Sequence, residues 1–471
     1  MSHQDFGSSR CARTHGDDLL RALSWLAPQE VWSSLKFRDD CRWTPQLLAF
    51  AALLWAWSDL RSLTKRFTAA RKIIKHHVGE QCEPAESYQA FIKMLRKWTE
   101  PMLACLQDAF HRRMQQALSQ VWRVEGWLMF AVDGSRIDVP RTWRNEERFS
   151  PKSKLSRAAQ KRRRAKRRVR RVQQARERKA NVPSVWLTML WHAGSGLPWN
   201  WQLGPSDSSE RHHLKAMLPT LPPGALVAAD AGFVGYDLWR TLREAGHELL
   251  VRVGGNVTLL EKLGYARERA GLVYLWPDQA AARLDPPLVL RLIVLHNGRH
   301  PVYLVTSVTS QTRLSDAQAA KLYRRRWGIE VFYRHCKQTF ERRKLRSHDP
   351  DNALLEMHWS LLGMWAMGLH SHVRLAARGV NVQRISFVGV LDAYRWSMRE
   401  HKARPEKGER LNHMLDRAIL DDYQRANKAS RAYPRKKNEP SAGPPFILLA
   451  TARQRATAQR VKEEMQKGLT A

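Results

Sequence analysis

Hydrophobic and polar positions along the chain change period near residue 122. Before it, apolar residues recur at helical spacing. Pro45 to Trp57 is apolar nearly all round, which predicts a buried helix, while Ser87 to Trp98 and Met102 to Leu118 predict amphipathic ones. After it, short continuous apolar runs appear. Trp127 to Val132 ends at Asp133-Gly134-Ser135, which predicts a buried strand running into a turn. Ser184 to His192 and Leu197 to Leu203 flank Ala193-Gly194-Ser195-Gly196 and predict a hairpin. Ser208 to Leu221 reads as a helix, and Ala225 to Ala229 reads as a second buried strand, ending at Asp230-Ala231-Gly232. Gly235 to Ala245 is helical again, and Glu248 to Val253 is another strand.

Lys321 to Arg343 reads as one amphipathic helix. Leu322, Ile329, Phe332, Cys336 and Phe340 stack along a face suited to a core. Tyr323, Arg326, Glu330 and Lys337 form another face, within roughly 60° of arc. One carboxylate thus stands beside a phenol and two cations. The plainer reading of that face is a solvated stripe, with Arg326 and Glu330 as an i, i+4 ion pair.

The element order from Trp127 to Arg343 is strand, strand, strand, helix, strand, helix, strand, helix. That is the order of the RNase H-like (retroviral integrase-like) α/β fold, with antiparallel strands first and parallel ones after. The predicted organisation is a helical N-terminal region at 1–122, a catalytic core at 123–253 and 311–400, a basic arm at 151–182 inserted in that core, and a basic C-terminal tail at 401–471. A β-rich insertion at 254–310 completes it, in which Leu288 to Leu295 and Val302 to Val308 flank Asn297-Gly298, a strong hairpin signal. The N-terminal helices suit either a DNA-binding domain or a cap on the core. Asn352 to Arg378 reads as one or two apolar helices against the sheet. Tyr433 to Phe446, rich in Pro and basic residues, reads as a loop or tail.

Charge changes this picture more than composition does. The 471 residues carry 80 Lys and Arg against 44 Asp and Glu, a formal net charge of +36. Such an imbalance points to a polyanionic partner. Nucleic acid is favoured over a membrane, because no apolar run approaches the roughly 20 residues of a spanning helix. The densest block, Lys161 to Lys179, contains Arg162, Arg163, Arg164, Lys166, Arg167 and Arg168. It reads as a self-repelling insertion or as a phosphate-binding arm that adds affinity without reading bases. The N-terminus has no apolar core of a secretory signal, and five scattered cysteines make no CxxC pair. Both features predict a cytoplasmic protein, associated with the nucleoid when bound to DNA.

Three carboxylates carry the candidate chemistry. Asp133 and Asp230 follow two strands and Glu330 lies on the helix, so all three could meet at one sheet edge. Asp133 alone, before a glycine, reads as a structural turn. Oxygen-only ligands suit Mg²⁺ or Mn²⁺, and two such ions support in-line phosphoryl displacement without a His, Cys or Ser base. His192, His212, His213 and His335 are accordingly read as structural. Asp138, Asp207 and Asp237 are rival carboxylates, but none ends an apolar run.

These residues resemble a known family, the DDE transposases of bacterial insertion sequences. Tyr323, Arg326, Glu330 and Lys337 fill the YREK signature of the group named after insertion sequence number four. Asp133-Gly134-Ser135 with Pro140, Thr142, Asn145 and Phe149 resembles its first motif. The resemblance covers roughly residues 125 to 350. It implies that Asp133, Asp230 and Glu330 are catalytic and bind two metal ions, while Tyr323, Arg326 and Lys337 contact phosphates or the strand being cut. It also implies cut-and-paste transposition, with terminal inverted repeats and target DNA as partners and a homodimer in the DNA complex. A nuclease of this fold without strand transfer, or a DNA-binding protein without catalysis, are the alternatives.

Overall fold

The computed structural model describes residues 14–78, 84–150, 182–296, 301–420 and 443–470. The basic arm, with Arg162 to Arg168, lies outside the described residues, as does the Asn297-Gly298 turn.

Ten strands among the described residues form one sheet, in the order β10-β6-β7-β8-β9-β5-β4-β1-β2-β3. Its first half is β1 (Met129–Asp138), β2 (Ser184–His192), β3 (Leu197–Gly204), β4 (Leu226–Ala229) and β5 (Glu248–Val253). β1 pairs antiparallel with β2, and β2 with β3, while β4 runs parallel to both β1 and β5. This is the RNase H-like arrangement expected from the element order. The strands are buried on both faces, which accounts for their continuous apolar runs.

The insertion does not form a separate sheet. β6 (Thr258–Glu261), β7 (Leu272–Leu275), β8 (Leu288–Leu295) and β9 (Val302–Thr306) extend the core sheet through the antiparallel pair β5/β9. In the C-terminal region, where a polar tail is expected, the described residues form regular elements, and residues 433–442 of the expected loop lie outside the described residues. The region contains helix Leu411–Arg417, then β10 (Phe446–Leu449) parallel to β6, then helix Ala452–Thr470. No helix among the described residues is long and apolar enough to cross a membrane.

The N-terminal helices and the sheet share one core, organised by helix Pro350–Ala377. Residues 47–57 of helix Pro45–Trp57 are all buried, each large side chain contributing about 1.5–3 kcal/mol. Polar contacts fix the docking. Trp57 Nε1 donates to Gly363 O at 2.9 Å, Trp359 Nε1 to Thr99 Oγ1 at 3.0 Å, and buried Arg342 Nη2 to Ala56 O at 2.7 Å. Two of the expected N-terminal helices are one, Tyr88–Ala117, with Pro101 inside it.

Candidate active site

The sheet register aligns the two aspartates. β1 and β4 pair from Met129↔Leu226 to Ala131↔Ala228. Two residues further along, at the same level on neighbouring strands, come Asp133 and Asp230. Residues two apart share a face of the sheet, and parallel neighbours lie about 4.8 Å apart. Asp230 keeps an extended backbone and caps the turn Ala231–Phe233. Asp133 does not end its strand as expected, because β1 stays paired with β2 as far as Asp138↔Ser184. What ends there is the β4 ladder, and that opens one side of β1 to other groups.

Gly134 is accordingly a strand residue opposite Thr188, not a turn glycine. Its role is close approach. A methyl group at position 134 would overlap Glu210 Oε1, well inside van der Waals contact. Glu210, the first residue of helix Glu210–Met217, is a carboxylate that periodicity does not reveal. The one signal for it is the glycine itself, which after an aspartate suggests a turn.

The helix bearing Glu330 crosses this opening in three pieces rather than one. Asp316–Arg325 and Trp327–Arg334 meet at Arg326, and a π-helical segment, His335–Thr339, follows and carries Lys337. Glu341, with φ of 55°, lies beyond its end. The helix docks through Gly328, where a methyl group would run into the Trp191 ring, and through Tyr333, whose hydroxyl donates to Asp133 O at 2.7 Å.

Tyr323 lies near enough to Asp230, and Arg326, Glu330 and Lys337 to Asp133, for their charges to interact, with Asp138 the nearer acid for Lys337. Arg326 Nη2 donates to Glu330 Oε1 at 2.9 Å, and its guanidinium lies 5.6 Å from the Tyr323 ring centre. Arg326 is buried and its Nε has no partner among the described residues. Burial opposes its charge, but Tyr323, Asp133 and Glu330 more than offset that and raise its pKa. Burial also raises the Tyr323 phenol and lowers Lys337, which sits near Asp138 and Asp133.

The carboxylates repel one another where they meet. Burial, with Asp230 and Glu330 adding like charge, pushes Asp133 up to about 6. Burial, then Asp133 and Asp230, push Glu210 up to about 7. As they stand, no three Asp, Glu, His or Cys side chains among the described residues close around one ion. Glu330 is turned to Arg326 instead. The donors are nonetheless all hard oxygens on adjacent elements, a set that fits a divalent cation once Glu330 leaves Arg326.

Several neighbouring residues hold structure instead. Asn145 Nδ2 donates to Pro140 O at 3.0 Å and Ser347 O at 3.2 Å, and Thr142 Oγ1 to His348 O at 2.7 Å, clamping the chain after β1 to the chain after the Glu330 helix. His192 is buried between Ser195 and the Trp122 carbonyl, and burial pulls it down to about 4. His213 bonds Thr188, and His335 bonds Thr339. Of the rival acids, Asp237 pairs with Arg283.

Residues 128–365, half of the chain, match the family described as "Transposase DDE domain". The chain belongs to this family. It is 26% identical over 183 residues to the transposase InsG for insertion sequence element IS4 of Escherichia coli (strain K12). That match spans 37% of this chain and 40% of the relative's length. Among solved structures it is similar to a piggyBac transposase synaptic complex with hairpin DNA. That likeness has a TM-score of 0.41 and 12% identity, and covers 88% of each chain.

Proposed function

We propose that this chain is a DNA transposase that cuts the ends of an insertion sequence and joins them to target DNA by phosphoryl transfer. The carrying observation is that the β1/β4 register sets Asp133 level with Asp230 while Tyr333 anchors the Glu330 helix over them. Asp133, Asp230 and Glu330 would hold two Mg²⁺ or Mn²⁺ ions, which supply an activated attacking oxygen and a stabilised leaving oxygen in such displacements.

The remaining work falls to the chain's own groups. Arg326, buried and with Nε unpartnered among the described residues, presents a fixed cation to a phosphate at the site. In doing so it exchanges the Glu330 carboxylate for the phosphate and frees Glu330 to turn toward the aspartates. Tyr323 stacks against that guanidinium and limits its motion, and Lys337 adds positive charge on the Asp138 side. Double-stranded DNA, as terminal inverted repeats and as target, is the partner. Joining two ends calls for two such sites, hence a homodimer on DNA. Lys161 to Lys179 serve as a phosphate-binding arm. Deleting 161–179 should flatten the slope of log affinity against log salt by about 0.9 for each phosphate the arm had neutralised.

The test is incubation with Mg²⁺ and linear DNA carrying the sequences that flank the gene. Cleavage at inverted repeats followed by joining supports the proposal, and Glu330→Gln should bind those ends without cutting them. Cutting without joining would make the chain a nuclease, and binding without cutting would make it a DNA-binding protein alone.

A further inference from the structure

Glu210 reaches the aspartates from a third element. Ser209 caps its helix, accepting from His212 N, and Arg211 Nε donates to Gly232 O at 2.9 Å. That bond ties the helix start to the loop just past Asp230. The Glu210 side chain then lies across both acidic strand segments. Oε1 occupies the space beside Gly134 that a side chain there would fill. A methyl group at position 232 would lie 3.6 Å from Glu210 Oε2 and 3.0 Å from Asp230 Oδ1. The same glycines orient the aspartates, Gly134 N donating to Asp133 Oδ1 at 2.9 Å and Gly232 N to Asp230 Oδ1 at 2.8 Å.

The nearby arginines are engaged elsewhere. Arg136 lies over the Trp186 ring at 4.9 Å, and Arg211 is spent on Gly232 O. Arg326 near Asp133, and Arg136 and Arg211 near Glu210, offset only part of the cost, because burial and like charge still raise both acids, so three half-buried carboxylates share a region that a cation would relieve. A separate observation marks the surroundings of Asp133 as built for a ligand, since Arg326, whose charge acts on Asp133, keeps a buried Nε without a partner among the described residues, a donor suited to the phosphate that a divalent cation accompanies.

We propose that Glu210 is a fourth oxygen donor of the divalent-cation site, shared with Asp133 and Asp230. This role rests on the assignment of those aspartates as metal ligands. It also gives Gly134 its purpose, since any larger residue there displaces Glu210 from the cation.

The test uses the full chain without DNA and titrates Mn²⁺, following the free ion by electron paramagnetic resonance. Glu210→Gln, which keeps the shape, should weaken Mn²⁺ binding about tenfold or more. The Mn²⁺-induced rise in Tm should shrink with it, while the metal-free Tm stays level or rises because a like charge has gone. Gly134→Ala, which keeps all four carboxylates, should weaken binding in the same direction. Binding by Glu210→Gln within about twofold of wild type, with Asp133→Asn abolishing it, would refute the role of Glu210 and leave the aspartates as ligands. A lowered metal-free Tm with unchanged Mn²⁺ affinity would make Glu210 structural. Absence of Mn²⁺ binding by the wild-type chain would overturn both assignments.

Discussion

β1 and the helix bearing Glu330 contribute to one site but are built to opposite standards of rigidity. β1 is paired with β2 over nine residues, from Phe130 to Asp138, and with β4 on its other edge until just before Asp133. The helix is interrupted at Arg326, changes pitch at His335 and meets the sheet at a glycine against Trp191 of β2 and a phenol against Asp133 O of β1. Asp133 and Asp230 are thus placed by backbone hydrogen bonds, each worth about 1 kcal/mol net. Glu330 is placed by a side-chain bond to Arg326 that a phosphate can replace. On the function proposed above, two ligands would be fixed in advance and the third held back until substrate arrives.

The largest effect should come from the fixed side. Asp133→Asn keeps the β1 ladder but removes a charge that periodicity and register both place at the centre. DNA cleavage should fall by about a thousandfold or more, several kcal/mol of lost stabilisation, with an unchanged circular dichroism spectrum. Near-normal cleavage would remove Asp133 from the chemistry.

Next comes the seat of the mobile side. Gly328→Ala drives a methyl group into the Trp191 ring, and Trp191 is buried beneath it. The helix must lift, at about 1–3 kcal/mol. Thermal unfolding should show that loss, and cleavage should fall while Mn²⁺ binding by the aspartates is largely kept. Equal loss of both would mean that the helix and β1 form one rigid unit.

The dependence on pH probes the crowding on the fixed side. Asp133 titrates at about 6 in the fold against 3.8 when free, so the folded chain binds more protons across that interval. With Glu210 likewise raised, from 4.5 to about 7, the metal-free protein should lose stability as pH rises from 3.8 to about 7, and level off above. Mn²⁺ affinity should climb over the same rise and flatten above about 7, where Glu210 is also ionised. Melting curves with and without Mn²⁺ across this range check both signs, and a metal-free stability that increased with pH there would contradict the crowding of carboxylates.

The smallest change concerns one hydrogen bond between the two parts. Tyr333→Phe removes the hydrogen bond to Asp133 O and should cost about 1 kcal/mol. Cleavage should drop by a few-fold, read as kcat rather than as end affinity.

The core strands and the apolar face of the Glu330 helix are legible in the sequence, because burial on both faces or on one stripe leaves a direct imprint on residue type. Leu288 to Leu295 and Val302 to Thr306 are legible as strands too, flanking a turn signal. That they continue the core sheet is not, because alternation specifies a partner but not which strand it is. The break at Arg326 leaves no Pro or Gly at that position to announce it. Glu210 is hidden for a related reason. Its neighbours Ser209 and Arg211 read as an ordinary helix start, and its contact with Gly134 is made across 76 residues of chain, which no local pattern encodes. Glycine after aspartate signals a turn far more often than a close approach, and here Gly232 lies in the turn Ala231–Phe233 while Gly134 serves approach.

A crystal structure with Mn²⁺ and a DNA end, read by the anomalous signal of the metal, would decide whether Glu330 is a ligand held in reserve. Two peaks should lie about 2 Å from carboxylate oxygens, with Asp133 and Asp230 in place as here and Glu330 released from Arg326 onto an ion. Manganese bound elsewhere, with Glu330 still on Arg326 and a phosphate already seated, would be incompatible with that exchange.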